Sequence, residues 1–291
     1  MQSVLVLSAR PDNRILTSDV VSSIIDDADC TVLGENWAIE TPLQSTSLEQ
    51  IRTRIGTLGL AIDANVVAAN GRRKKLMLAD MDSTIITVEC VDELADFIGV
   101  KHRVHAITQH AMAGKLDFTQ ALEDRVSLLK GLKTEHLQAV YDQRVSLTPG
   151  AQTLVKTMAA HGAITALVSG GFTFFTSRVQ AQCGFHHHQS NELEIIDGVL
   201  TGRVIPPILN AEAKRQSLRQ FSTALRLNKA DTLCIGDGSN DRLMVGAAGL
   251  GIAFHGKEIL KSNAKVHIDH GDLHAALVIQ GYNEKQFVNS Y

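Results

Sequence analysis

The sequence predicts an α/β protein: a parallel sheet covered by helices, with an inserted helical cap and a small α+β unit ahead of it. Three observations predict it. Beyond Lys75, short wholly apolar runs at 76–79, 164–168, 232–235 and 249–254 alternate with helix-like segments. Strands apolar on both faces belong to parallel sheets buried on both sides. One stretch, about 87–147, breaks the alternation and reads as helix after helix. Residues 1–72 carry a β and α pattern of their own, which sets the expected domain boundary with 73–291.

In chain order, residues 4–7 form an apolar run expected to be a strand. Val20, Val21, Ile24 and Ile25 have helical spacing within 17–25. Residues 31–41 read as one extended segment. Ile51, Ile55 and Leu58 mark a helix over 48–58, and 62–68 returns to strand character. The expected order β-α-β-α-β suits a small layer of sheet and helices. Asn70-Gly71 and the basic run Arg72, Arg73, Lys74, Lys75 read as a solvated linker. In the insertion, Val91, Leu94 and Ile98 make one stripe, and Phe118, Leu122, Val126 and Leu129 another. Thr148-Pro149-Gly150 closes it, with a new helix expected after it. Asp197-Gly198 within 195–200 signals a hairpin.

The composition bounds the functions. The chain has 291 residues, 44% apolar and 20% charged, which suits a soluble globular protein. A net charge of −3 from 28 basic and 31 acidic residues argues against nucleic acid or an anionic membrane as partner. Cys30, Cys90, Cys183 and Cys234 form no CxxC pair and read as small buried residues of a reducing compartment. The start lacks a signal-peptide pattern, so a cytoplasmic location is expected. Three consecutive histidines, His186 to His188, cannot all face one ion and read as a solvated loop. Trp37 is a lone aromatic in the first unit, and the glycines over 246–251 suggest tight turns.

The chemistry lies where the apolar runs end. The first ends at Asp80-Met81-Asp82-Ser83-Thr84, the second at Ser169-Gly170-Gly171, the third at Gly236-Asp237-Gly238-Ser239-Asn240-Asp241. Parallel sheets build their sites at the carboxyl ends of strands. Three segments should therefore bring carboxylates, a hydroxyl and glycine amides to one crevice. Asp80 and Asp82, two apart in an extended segment, point the same way. Their mutual repulsion, with Asp237 beside them, calls for a cation. All-oxygen donors suit Mg²⁺. Gly170 and Gly171 let backbone amides approach an anion. Each signal alone is weak: a DxD pair commonly caps a helix, and SGG is an ordinary turn. Their joint placement at the ends of apolar runs favours catalysis.

These segments, together with Lys214 and Phe172, resemble the four ordered motifs of the haloacid dehalogenase superfamily. The resemblance covers about 74–280 and is closest to its phosphoserine phosphatases. The narrower likeness rests on three cap segments: 89–95 (Glu-Cys-Val-Asp-Glu-Leu-Ala), 112–118 (Met-Ala-Gly-Lys-Leu-Asp-Phe) and 125–129 (Arg-Val-Ser-Leu-Leu). It implies a Mg²⁺-dependent phosphatase releasing serine from O-phosphoserine, as in the final step of serine biosynthesis. By that resemblance Asp80 attacks phosphorus and Asp82 serves as acid and then base. Ser169, a Gly170 or Gly171 amide and Lys214 hold the phosphoryl oxygens. Asp80, Asp237 and the Asp82 carbonyl take the ion, with Asp241 orienting its shell and Asn240 aiding the binding of phosphate or of a metal-bound water. Arg215 competes with Lys214 for its role. Arg242, after Asp241, departs from the small or apolar residue usual there and is expected to reach solvent or another chain.

Arg125, seven residues after Phe118, falls on the same mostly apolar face as Leu122 and Leu129. A guanidinium there either pairs with a buried anion or lines a cleft. Glu89 supplies the opposite charge, as a structural ion pair or as the ammonium-binding half of a zwitterion site in which Arg125 grips the carboxylate. The resemblance implies the second, with Phe118 closing over the substrate and Met112 nearby. Flexing near Thr87 and Thr148 is expected to close the cap. The first unit resembles an ACT-like regulatory domain in topology; binding an amino acid, homodimerisation and support of the core are its open roles. Three other readings stand: phosphoryl transfer to an alcohol such as homoserine, a broader small-metabolite phosphatase, and a sensor without turnover.

Overall fold

The computed structural model describes residues 2–25, 29–43 and 46–288. The first unit runs β1 (Ser3–Ser8), α1 (Ser18–Ile24), β2 (Thr31–Gly34), β3 (Ala38–Pro42), α2 (Leu48–Thr57) and β4 (Asp63–Ala68). Its antiparallel sheet has the order β2-β3-β1-β4, the split β-α-β arrangement of ferredoxin-like units. The single extended segment expected over 31–41 is instead two paired strands. Asn36, at φ 58°, turns the chain between them, a conformation asparagine tolerates better than most residues. α1 and α2 begin where Thr17 and Ser47 accept backbone N–H groups at their N-termini.

The second unit contains β5 (Leu76–Ala79), then the cap helices α3 (Cys90–Asp96), α4 (Lys101–Met112), α5 (Phe118–Ser127) and α6 (Glu135–Arg144). There follow α7 (Ala151–Ala160), β6 (Ile164–Phe172), α8 (Thr173–Cys183), β7 (His187–Ile196), β8 (Val199–Ile205) and α9 (Ala211–Ala224). β9 (Thr232–Gly236), α10 (Arg242–Ala247), β10 (Leu250–Phe254), α11 (Glu258–Lys261), β11 (Val266–Ile268) and α12 (Ala275–Ile279) complete it. The seven strands lie in the order β11-β10-β9-β5-β6-β7-β8, with every pair parallel except β7 and β8. β5 is central, and the chain moves to β6 on one side and later to β9 on the other. That reversal opens a crevice at the carboxyl end of β5.

The cap enters and leaves through adjacent strands of chain. Ile86 bridges Leu147, Thr87 N–H donates to the Ser146 carbonyl at 3.0 Å, and Thr148 N–H to that of Ile85 at 2.9 Å. A second anchor ties it to the β7–β8 hairpin: Gly131 N–H reaches the Leu200 carbonyl at 2.9 Å, and Leu200 N–H the Leu132 carbonyl at 2.8 Å. The hairpin turns at Asp197 and Gly198, both at positive φ (51° and 75°), as a two-residue turn of this hand requires.

Two sequence expectations are corrected. The histidine run is not a loop: His187 and His188 begin β7 and pair with Ala166 and Leu167 of β6. His186 stays beside Thr165, whose backbone N–H donates to its Nδ1 at 3.2 Å. The pairing with β6 outweighs the local polarity. The basic run is only in part a solvated linker: Arg73 and Lys75 are exposed, yet all four side chains have partners. Arg72 pairs with Glu40, Arg73 lies 4.3 Å over the Tyr282 ring, Lys74 donates to the Ala230 carbonyl and Lys75 pairs with Asp231. The run staples the two units together. Trp37 is buried at the same junction, donating from Nε1 to Glu284 at 2.8 Å. Cys90, Cys183 and Cys234 are buried as expected, Cys30 only partly. Among the described residues, no helix is long and apolar enough to cross a membrane.

Candidate active site

Three adjacent strands deliver the charged groups. Asp80 follows β5, fixed by its N–H to the Ile235 carbonyl of β9 at 3.0 Å. The chain then turns tightly through Met81 to Ile85, with Ser83 at φ 56°. Ser169 lies near the end of β6, where pairing with β7 is irregular between Val168 and Phe172. Asp237 and Asp241 follow β9. A Cβ at Gly236 would overlap the Asp241 carboxylate, so only glycine admits that side chain beneath the loop.

Asp80, Asp237 and Asp241 are all buried, and each offers an oxygen within 4.8 Å of the others. Lys214 enters this cluster from α9, wholly buried, its Nζ 2.6 Å from Asp80 and 2.7 Å from Asp241. Burial alone lowers an ammonium pKa, but the charges of Asp241 and Asp80 prevail and raise that of Lys214. Arg215 is turned away to Glu212 at 2.6 Å. Asp241 also accepts from the Asp237 and Gly238 amides, each at 3.2 Å. Burial, then the Asp80 charge, pushes its carboxyl up to about 7. The Asp237 carboxyl rises well above the ordinary range through burial and the charges of Glu89, Asp241 and Asp80.

Asp82 is directed elsewhere. Its Oδ1 accepts the Cys90 N–H at 3.1 Å, and its Oδ2 would lie 2.6 Å from a Cβ at Gly171. Its carboxylate is not in the three-acid cluster. Burial and the Asp80 charge raise it to about 6. Ser169 is buried, and its Oγ accepts the Gly171 N–H at 2.8 Å, so its own proton remains free to donate.

The cap covers this crevice. Asp80, Asp82, Glu89, Met112, Phe118, Arg125, Gly170, Gly171 and Asn240 line one pocket. Phe118 and Asn240 also line a larger hollow of about 500 Å³ outside it, whose rim includes Arg242. Arg242 is exposed, as its departure from the family pattern suggested. Ser83 Oγ donates to Glu89 at 2.7 Å. Burial, then the Asp82 charge, raises the Glu89 carboxyl to about 8, with Ser83 and Arg125 opposing. Arg125 is buried and forms no ion pair with Glu89 among the described residues; it donates to the Ala121 carbonyl and the Thr108 hydroxyl. Burial lowers its pKa, against the charges of Glu89 and Asp92.

The site fits a divalent cation. Asp237 Oδ1 and Asn240 Oδ1 are buried with no hydrogen-bond partner, and one lysine faces three clustered carboxylates. Uncompensated buried anions are costly, and an all-oxygen donor set suits Mg²⁺.

The roles of several residues of the site went unread in the sequence. Asn191, buried on β7, donates to the Gly170 carbonyl at 2.8 Å and accepts the Leu209 N–H at 2.6 Å, fixing the glycine loop. Ser83, Cys90, Asp92 and Thr108 act on Glu89, Asp82 and Arg125. No periodicity or motif signals these contacts, and those of Asn191 and Thr108 join residues 16 to 21 apart.

Comparison with known proteins places this arrangement. The haloacid dehalogenase-like hydrolase family matches residues 77–245. A phosphoserine phosphatase of Archaeoglobus fulgidus is 41% identical over 225 residues, 77% of this chain and 65% of that protein; the chain thus spans about two thirds of that relative's length. A hydrolase of the same family from Salmonella enterica serovar Typhi superposes with a TM-score of 0.80 at 31% identity, covering 95% of this chain and 98% of that one. A phosphoserine phosphatase solved as a phospho-aspartyl intermediate analogue is 40% identical with a TM-score of 0.68, covering 71% and 98%. The chain belongs to the haloacid dehalogenase-like hydrolase family, on its phosphoserine phosphatase branch.

Proposed function

We propose that this enzyme hydrolyses O-phosphoserine to serine and inorganic phosphate through an aspartyl-phosphate on Asp80, with Mg²⁺ as cofactor. The observation that carries the reading is one pocket holding both Asp80, Asp82 and the glycine loop and, in the cap, Glu89 with Arg125. Phosphoserine needs such a pair for its ammonium and carboxylate. Asp80 and Asp237 would hold the ion with the Asp82 carbonyl, and Asp241 would order its surroundings. When bound, the ion supplies the positive charge that offsets the carboxylates and the phosphoryl oxygens.

The protein's own groups do the rest. An Asp80 oxygen attacks phosphorus while the serine oxygen leaves. Asp82, raised to about 6, keeps a protonated fraction near neutrality, and that form delivers its proton to that oxygen. As a carboxylate it then takes a proton from the water that cleaves the aspartyl-phosphate. Ser169 Oγ–H and the Gly170 amide donate to phosphoryl oxygens, the Gly171 amide being held by Ser169 Oγ, and the Lys214 ammonium balances their charge. Glu89 takes the ammonium and Arg125 the carboxylate. Release of serine makes this a terminal step of serine formation.

A phosphate-release screen over phosphomonoesters, with and without Mg²⁺, tests the reading. Phosphoserine is expected to rank first, Mg²⁺ to be required, and Asp80→Asn to abolish release. Preference for a substrate lacking the amino-acid end defeats it.

A further inference from the structure

Among the polar groups outside the reaction centre, one chain ends on a substrate-facing residue. Asp92 on α3, Thr108 on α4 and Arg125 on α5 are all buried. Thr108 Oγ–H donates to Asp92 Oδ1 at 2.6 Å, and Arg125 Nη1 donates to Thr108 Oγ at 3.0 Å. The other Asp92 oxygen lies 2.7 Å from His105 Nδ1 at the cap surface.

The direction of this chain is fixed. An ionised carboxylate only accepts, and a guanidinium only donates. The single Thr108 hydroxyl proton therefore goes to Asp92, and a lone pair is left for Arg125. The Thr108 hydroxyl also lies 3.1 Å from the Val104 carbonyl, one turn back, but Asp92 is nearer and charged. On Arg125, Nε is held by the Ala121 carbonyl at 3.1 Å and Nη1 by Thr108, while Nη2 has no hydrogen-bond partner among the described residues. Two bonds in the plane of a rigid fork set its orientation.

We infer that Thr108, itself oriented by Asp92, is a positioning residue that aims the Arg125 guanidinium at the carboxylate of the substrate. The inference rests on Arg125 being the carboxylate grip of the proposed function. It assigns to three cap helices a joint role in substrate selection: the relay has one member on each.

Steady-state kinetics on phosphoserine and on p-nitrophenyl phosphate, which lacks a carboxylate, tests it. Thr108→Val removes the hydroxyl at similar shape. It is expected to raise KM for phosphoserine about tenfold, the scale of one hydrogen bond to a charged group. The kcat/KM for p-nitrophenyl phosphate should stay within about twofold. Thr108→Ser, which keeps the hydroxyl, should restore the phosphoserine KM. Equal losses on both substrates, or no rescue by Thr108→Ser, overturn the inference in favour of a purely structural contact. Arg125→Ala separates the two levels. If it raises the phosphoserine KM while Thr108→Val does not, the relay falls and the proposed function stands. If Arg125→Ala leaves the phosphoserine KM unchanged, the carboxylate grip itself falls.

Discussion

Lys214 shows how much one buried side chain carries. It is the cation facing both Asp80 and Asp241, and its removal leaves two buried carboxylates unbalanced beside the proposed phosphoryl site. Lys214→Met is expected to lower kcat at least about 10²-fold, the usual scale for a group that stabilises transferring phosphoryl charge. Arg215→Met, on a surface pair with Glu212, should stay near wild type. Near-normal turnover of Lys214→Met with collapse of Arg215→Met reverses the assignment. Glu89 permits a pH prediction. Its carboxyl is raised to about 8 by burial and by Asp82, so in the free enzyme it is largely protonated at pH 7. Asp80, Asp82 and Asp237 face it as acids, Arg125 as the cation, and Ser83 as a hydroxyl donor. In the proposed binding mode only its ionised form pairs with the ammonium, so binding phosphoserine would expel that proton. The ratio of kcat/KM for phosphoserine to that for p-nitrophenyl phosphate should therefore rise from pH 6.5 towards about 8, the window set by that raised pKa. A cation in the three-acid cluster moves the window lower without changing its sign. Glu89→Gln should flatten the ratio; an unchanged slope in that variant removes Glu89 from ammonium binding.

At the scale of elements, the cap is held unequally. Its linkers are bridged at Ile86 and Leu147, and its 131–134 stretch is bonded to the β7–β8 hairpin. At the opposite side, the segment from α4 to α5 meets the core through one hydrogen bond among the described residues, Ser239 Oγ–H to the Ala111 carbonyl at 2.6 Å. Phe118, at the end of that segment, lies against Gly170 over the pocket. Closure over a phosphoryl mimic should therefore be felt most between Met112 and Phe118. Hydrogen exchange with BeF₃⁻ and Mg²⁺ is expected to slow there by more than at 131–134; uniform slowing across both places the motion at the linkers near Thr87 and Thr148 instead. The same elements show what the sequence made legible. The core strands β5, β6, β9 and β10 were readable because burial on both faces leaves an unbroken apolar run. β7 and β11 were not. β7 opens with two histidines and owes its strand form to β6 beside it, while β11 is only three residues long. The acids after β5 and β9 stood out as motifs, because strand ends put them in fixed places. Asn191 and Thr108 did not, because a hydrogen-bonding role depends on a partner that folding supplies.

The whole molecule is less divided than its sequence suggests. One face of the first sheet, with Val4, Val6, Leu33, Trp37 and Ala38, joins the same apolar cluster as Ala275 to Ile279 of the second unit. The other face, with Leu5, Leu7, Ile39 and Ala64, packs with Ile24, Ile51 and Ile55 of its own helices. At the edge of the large sheet, Asn65 of β4 exchanges two bonds with the backbone of His267 on β11, at 2.8 and 3.0 Å, covering a strand that is otherwise unpaired on that side. Asp63 is the firmest tie. Its buried carboxylate accepts the backbone N–H groups of Asp269 and Gly271 at 2.8 Å each, and of His270 at 3.1 Å. These three amides belong to the loop after β11. Asp63→Ala leaves three amides without this acceptor; that of Gly271 is buried and costs about 1–3 kcal/mol, while those of Asp269 and His270 are nearer solvent and cost less. A net loss of about 3 kcal/mol is therefore expected in urea unfolding. Asp63→Asn, which keeps one acceptor oxygen, should fall between Asp63→Ala and wild type. Turnover of the folded Asp63→Ala enzyme at 25 °C should be unchanged, because the loop lies at the far edge of the sheet from β5. An unfolding midpoint equal to wild type shows that the amides find other partners, and the first unit is then held by Trp37 and the basic run rather than by Asp63.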